Sequence, residues 1–282
     1  MIRRFATSFA LIVVIWMSVF FLPIGNRGLW APDEPRYTEV AWEMDRAGSL
    51  LLPIRNGEIY TQKPPFFFWA TIAAAKITGF ETASRRVSAV AALITLWIVY
   101  TLMGRFRNRR TAFLASMILM SCGLYMWLSG HGNIDVLLTM WTTAAFAAWL
   151  MYLDTAHSRW IGLAYVFCGA GVLTKGPVAF VIPWLSFLVF IAYMRAVKKE
   201  HLPWAHLIWG WLPVLAITAA WLIPACIAGG EDYTRQILFR QNIGRAVHSF
   251  AHRKPFTYYF GQFPVLTLPW FAIFAGLLPV GR

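Results

Sequence analysis

The densest run of chemically capable side chains is Ala31-Pro32-Asp33-Glu34-Pro35-Arg36-Tyr37-Thr38-Glu39, which sets three carboxylates, a guanidinium and a phenol within nine residues. Asp33 follows directly on the first apolar segment, and a second carboxylate, Asp135, opens a later one. Two such groups can approach each other across a cavity at the membrane interface, where ionisable side chains facing a bundle interior are candidates for function. A carboxylate there can take a proton or stabilise positive charge that develops in a reaction. Each also has a plainer use. Asp33-Glu34-Pro35 suits the start of an amphipathic helix over about residues 35–47, and Asp135 can cap its own helix.

Cations recur at comparable places. Lys63 precedes Pro64-Pro65, which hold the chain extended and fix where the ammonium is presented, either to a phosphate or to lipid headgroups by snorkelling. Lys175 lies in Leu173-Thr174-Lys175-Gly176-Pro177, at a break between apolar segments where Gly and Pro free backbone groups to face a cavity. The spaced glycines of a P-loop are missing. Arg240, Arg245, His248 and His252 fall in a connection of about 28 residues, long enough to be structured over a site. Scattered histidines without a close carboxylate are polar loop surface as readily as metal ligands. Cys122, Cys168 and Cys226 all sit inside apolar runs and read as core residues, with no disulfide framework.

The elements that must position these groups follow from composition. With 59% hydrophobic and 13% charged residues and a mean hydropathy of +0.57, the chain falls among polytopic membrane proteins. Apolar segments at about 5–24, 87–104, 111–128, 135–153, 160–174, 177–194, 206–228 and 257–280 predict eight spans. The first reads as an uncleaved helix behind Arg3 and Arg4, because no small-residue cleavage site ends it. Arg105 to Arg110, His157-Ser158-Arg159, Arg195 to Lys199 and Arg282 alternate with that start. The positive-inside rule therefore places them all in the cytoplasm. Residues 64–77 are apolar but short, and counting them as a crossing would reverse the charge bias. They read as an interfacial helix with Phe66, Phe67, Phe68 and Trp69 toward lipid and Lys76 near the polar boundary. The predicted fold is an all-α integral membrane protein: a polytopic helical bundle with about eight transmembrane helices plus periplasmic juxtamembrane helices. Its two long external connections are 27–86 and 229–256.

This topology gathers Asp33, Glu34, Arg36, Tyr37, Lys63, Asp135, Lys175, Arg240 and His252 on the outer face. The formal net charge of +13 exceeds what inner loops account for, so a basic outer face points to an anionic ligand such as a lipid phosphate or pyrophosphate. Nucleic acid does not fit, because the cations are spread through interfacial loops and form no soluble basic domain.

An ordered series of blocks carries a family resemblance. It comprises Trp30-Ala31-Pro32-Asp33-Glu34-Pro35-Arg36-Tyr37, Asn56-Gly57, Lys63-Pro64-Pro65, Asn133-Ile134-Asp135-Val136-Leu137-Leu138-Thr139, Leu173-Thr174-Lys175-Gly176-Pro177, and His252-Arg253-Lys254-Pro255-Phe256-Thr257-Tyr258-Tyr259 before Leu268-Pro269-Trp270. In that order the chain resembles the bacterial aminoarabinose transferases, within the GT-C superfamily that includes the protein O-mannosyltransferases. The resemblance implies a GT-C bundle in the bacterial inner membrane. Such an enzyme moves a sugar, on the periplasmic side, from a polyprenyl-phosphate donor to a lipid or glycan acceptor such as lipid A phosphate.

The resemblance also implies roles. Asp33 matches the essential first-loop aspartate, Asp135 the second external aspartate and Lys63 the lysine that holds donor phosphate. The expected site is thus Asp33 and Asp135 as catalytic carboxylates, with Glu34, Arg36, Tyr37, Lys63, Lys175, Arg240 and His252 around the substrates. A divalent metal is left open as a cofactor. Gln62, however, stands where family members often carry a carboxylate, so a bridge from that position is in doubt. Family chains are about twice as long, so this one corresponds to an N-terminal half without the usual periplasmic C-terminal part. A carrier or flippase for an anionic lipid or solute would use the same outer cations. It would ordinarily show two related halves, and no internal repeat is present.

Overall fold

The computed structural model describes residues 2–198, 209–239 and 255–277, and within them the regular structure is helical apart from one short hairpin. Helix α1 (Ile2–Trp16) continues through a wider turn, Met17–Phe21, and a tighter one, Leu22–Gly25, where Pro23 helps end it. Helix α2 (Asp33–Arg46) follows, then strands β1 (Ile54–Arg55) and β2 (Glu58–Ile59), α3 (Phe66–Thr78) and α4 (Phe80–Phe106). Next come α5 (Arg109–Met120), α6 (Gly123–Ser129), α7 (Ile134–Thr155), α8 (Ser158–Lys175), α9 (Val178–Tyr193), α10 (Trp211–Arg235), α11 (Phe256–Leu266) and α12 (Trp270–Leu277).

Five of these are long and apolar enough to cross a membrane: Thr7–Gly25, α4, α7, Val178–Val197 and Trp211–Phe239. A sixth is added if α5 and α6 count as one broken span, so the expected eight is not reached among the described residues. Three expectations change for physical reasons. The segment 111–128 is bent by 71° between α5 and α6. The described part of the expected span 257–280, up to Leu277, divides into two short helices at Pro269, which has no N–H to continue α11. The third, α8, is 18 residues long and carries Arg159 near one end and Lys175 at the other, charges that lower its mean hydropathy, and it packs on α7, α9 and α10. The expected external connection from 229 begins as helix, with a break at Gly230 inside α10.

Helix α3 departs from expectation more sharply. Phe67 and Phe68 are fully buried, packed on Tyr37 and Tyr60, instead of facing lipid. Successive helical residues are rotated by about 100°, so four consecutive rings cannot all face lipid. The 13 residues of α3 rise only about 20 Å, too short for a hydrocarbon core of about 30 Å.

The elements that matter for a site share one end of the bundle. The turn Asn56-Gly57 has positive φ at both residues (55° and 76°), which a two-residue hairpin between right-twisted strands requires. Its two amides are accepted by Glu43 of α2, at 2.7 and 2.9 Å, and Arg55 reaches Glu39 at 3.0 Å. The hairpin is thus pinned flat on α2. At the opposite end of the bundle Arg105, at the end of α4, pairs with Asp154, near the end of α7.

Candidate active site

Asp33 and Glu34 are neighbours with opposite environments, because one helical step turns Asp33 outward and Glu34 in. Glu34 is 2% exposed. Arg27 donates to both its oxygens at 2.9 Å, the Trp30 amide donates at 2.6 Å and the Gly132 amide at 2.8 Å, and Arg85 Nε stands 3.4 Å away. Burial pushes the Glu34 carboxyl up, but these donors outweigh it and hold the group below its ordinary value. Arg85 also donates to the carbonyls of Ile24 and Arg27, and Arg27 to that of Gly130 at 3.0 Å. One buried carboxylate therefore joins the end of α1, the start of α2, the start of α4 and the α6–α7 turn. Gly132 is needed at that turn because a Cβ there would lie 2.4 Å from Ser84 Oγ.

Asp33 remains 40% exposed and pairs with Arg36 one turn on. Arg36 lies 4.9 Å over the Tyr37 ring and donates to its hydroxyl at 3.3 Å. Burial lowers the Arg36 guanidinium, while Tyr37, Tyr60 and Asp33 more than offset it and leave it above its ordinary value. Burial pushes the Tyr37 phenol up to about 12, and Asp33 adds to the rise. Tyr37 is a neutral wall at physiological pH.

The second carboxylate is placed by a cap. Asn133 accepts the Asp135 amide at 2.7 Å, and its own amide and carbonyl are both bonded by Ser88 of α4. Asp135, 39% exposed, pairs with Lys175 at the last residue of α8. Gly176 follows at φ 98°, open to glycine and strained for other residues, and Pro177 starts the next helix. That break turns the chain back and leaves Lys175 facing α7.

The expected site residues thus resolve into two carboxylate–cation pairs, Asp33 with Arg36 and Asp135 with Lys175, linked through the Glu34 cluster and the Gly132–Asn133 turn. Lys63 is half-buried and already engaged, between Tyr60, which acts on Arg36 and Tyr37, and Phe66, which packs on Trp141 of α7. Arg240 and His252 lie outside the described residues. Among the described residues no three His, Cys, Asp or Glu side chains come together as a metal site. Both site carboxylates already face cations, so these residues do not make a metal donor set. Leu50, Leu51, Trp69 and Trp221 line an apolar cleft of about 730 Å³ with Leu173, two residues before Lys175 in α8.

The model of the dolichyl-phosphate-mannose-protein mannosyltransferase family matches residues 62–223, more than half of the chain. The chain belongs to this family. The family match takes in Lys63, Asp135 and Lys175, and Asp33 precedes it. Among its relatives is the undecaprenyl phosphate-alpha-4-amino-4-deoxy-L-arabinose arabinosyl transferase of Shewanella sediminis. It is 31% identical over 269 residues, covering 92% of this chain and 48% of the relative. The transferase of the same name from Pectobacterium atrosepticum is 30% identical, covering 96% and 49%. The chain spans about half the length of the curated relatives it matches. ArnT from Cupriavidus metallidurans bound to undecaprenyl phosphate superposes with a TM-score of 0.83 at 24% identity, over 96% of this chain and 50% of that one. The fold is accordingly the GT-C polytopic helical membrane fold.

Arg27 and Arg85 were not among the expected site residues. The signal for Arg85 was the pair Arg85-Arg86 at the start of an apolar helix, where the two side chains cannot both face water. Arg85 is 1% exposed, whereas Arg86 lies over the Phe21 ring at 4.8 Å.

Proposed function

We propose that the chain is the membrane module of a glycosyltransferase that moves a sugar from a polyprenyl-phosphate donor to an acceptor such as a lipid A phosphate. The reading places this chemistry on the periplasmic face of the bacterial inner membrane. The observation that carries it is the presence, at one end of the bundle, of two partly exposed carboxylates, each beside its own cation. The relatives' aminoarabinose donor is the first candidate for the sugar.

In the reaction the bond between the anomeric carbon and the donor phosphate oxygen breaks, and an acceptor oxygen bonds to that carbon. The leaving group changes from a phosphodiester to a phosphomonoester and gains negative charge. Cations held close to it stabilise that change more in the transition state than in the ground state. Arg36 and Lys175 are such cations, with Lys63, Arg240 and His252 as further contacts. In the ligand-free site Asp33 and Asp135 neutralise Arg36 and Lys175. An arriving phosphate competes for the cations, and the freed carboxylates turn to the sugar and the acceptor. A phosphate acceptor is already anionic and needs no base, whereas a hydroxyl acceptor gives its proton to Asp33. Tyr37 supplies an uncharged surface, and Glu34 acts by positioning Asp33.

The test is Asp33→Asn in the complete gene product, reconstituted in proteoliposomes with a polyprenyl-phosphate sugar. Transfer should fall at least a hundredfold while the melting temperature stays unchanged. Full transfer by that variant would remove Asp33 from the chemistry, and lipid translocation without transfer would favour a carrier.

A further inference from the structure

A second cavity lies away from both ion pairs, toward the basic end of the bundle, where α4, α7 and α8 enclose a cleft of about 910 Å³. It exists because the facing side chains are too small to close it: Ala144, Ala147 and Ala148 on α7 against Thr101 and Gly104 on α4. The remaining wall is almost wholly apolar, and Trp97, part of it, is 52% exposed. A hollow of this kind in a membrane-spanning surface draws in hydrocarbon, since an unfilled wall forfeits its dispersion contacts on one side.

The end of the cleft is charged. Arg105 lines it and donates from Nε to Asp154 at 2.7 Å. Arg107, Arg109 and Arg110 follow in sequence, and Arg159 lies 5.3 Å over the ring of Trp160, another lining residue. From 105 to 159 these are five arginines, and the only carboxylates are Asp154 and Asp135, the latter at the other end of the bundle. The wall also holds two unspent donors: the indole nitrogens of Trp141 and Trp160 are buried without a hydrogen-bond partner among the described residues. A buried donor left unpaired is unfavourable and is relieved by an acceptor brought with a ligand.

We propose that this cleft binds an anionic phospholipid from the leaflet at the basic end. One acyl chain lies along the alanine face of α7, and the headgroup phosphate sits on Arg105. Basic pockets between membrane helices take anionic headgroups in this way. Asp154 is the internal competitor, holding Arg105 until the phosphate displaces it. The site is independent of the sugar-transfer reading, because it shares no residue with the two ion pairs.

The test uses the purified complete protein in detergent, titrated with phosphatidylglycerol, cardiolipin or phosphatidylcholine and read by native mass spectrometry. The two anionic lipids should be retained over phosphatidylcholine. Arg105→Gln should weaken their retention about fivefold, and Asp154→Asn should strengthen it by about the same factor. Ala147→Trp, which fills the cleft without altering charge, should abolish it. Equal retention of all three lipids overturns the proposal, as does weaker or unchanged binding in Asp154→Asn. Crosslinks showing another protein segment seated in the cleft overturn it as well. If Ala147→Trp does not fold, the opposite shifts of the two partly exposed charge variants still decide.

Discussion

Replacing Glu34 by Gln tests whether a single buried carboxylate holds the site together. Two guanidiniums flank it, so the cluster of Arg27, Glu34 and Arg85 carries a net charge of +1, and the substitution raises it to +2. Glu34 also receives four hydrogen bonds on two oxygens. Gln offers one oxygen and places an amide donor where other donors converge. Removing one partner of a buried ion pair costs about 3–5 kcal/mol, since the remaining charge is left uncompensated. Thermal unfolding in nanodiscs should register this as a large loss in Glu34→Gln and a smaller one in Arg85→Gln, which leaves Arg27 and Glu34 balanced. The double variant returns the net charge to +1, so its loss should fall short of the sum by about 1–3 kcal/mol. The same group predicts acid sensitivity. Its folded value lies below the ordinary 4.5, so its stabilisation is complete above that value and is lost as pH falls through the folded one. Glu34→Gln should flatten this acid limb. A loss under about 1 kcal/mol, or strictly additive losses in the double variant, would refute a central role for Glu34.

Two further outcomes follow from the pairs around it. Asp135→Asn removes the resident counter-ion of Lys175, an exposed pair worth at most about 1 kcal/mol, so undecaprenyl phosphate should bind up to about fivefold tighter while sugar transfer falls. Weaker lipid binding by titration calorimetry would contradict the exchange of carboxylate for phosphate. Tyr37, with its phenol raised to about 12, contributes stability that is present below the usual tyrosine value and lost as pH climbs through the folded one. Tyr37→Phe should therefore unfold less steeply than the parent between about pH 10 and 12, by circular dichroism.

Much of the arrangement is legible in the sequence, for identifiable reasons. Hydropathy located α1, α4, α7, α9 and α10, because a span needs a continuous apolar length. Charge placed Asp33 and Asp135 at helix ends, because carboxylates avoid the hydrocarbon. What stayed hidden depends on rotation and on partners distant in the chain. Arg85 and Arg86 are indistinguishable as letters, and only the phase of α4 sends Arg85 onto Glu34. The bend between α5 and α6 occurs at Ser121-Cys122 without a proline to mark it. The aromatic run from Phe66 looked lipid-facing by composition, but α2 lies over it and Tyr37 packs on Phe67 at 5.6 Å.

The contrast between Asp33 and Glu34 explains how a water-facing carboxylate can keep a fixed position. A partly exposed ion pair such as Asp33 with Arg36 is too weak to hold its own geometry against solvent and side-chain entropy. Glu34 has what Asp33 lacks: burial, two guanidiniums and two backbone amides, one from the turn that begins the Asp135 helix. Because the two residues are consecutive in α2, fixing the buried one fixes the backbone of the exposed one. Asp33 can then exchange partners on a backbone anchored to the turn that precedes Asp135, the combination that the proposed transfer calls for. Displacement of Asp33 by a loosened Glu34 should therefore lower turnover even where Asp33 itself is intact.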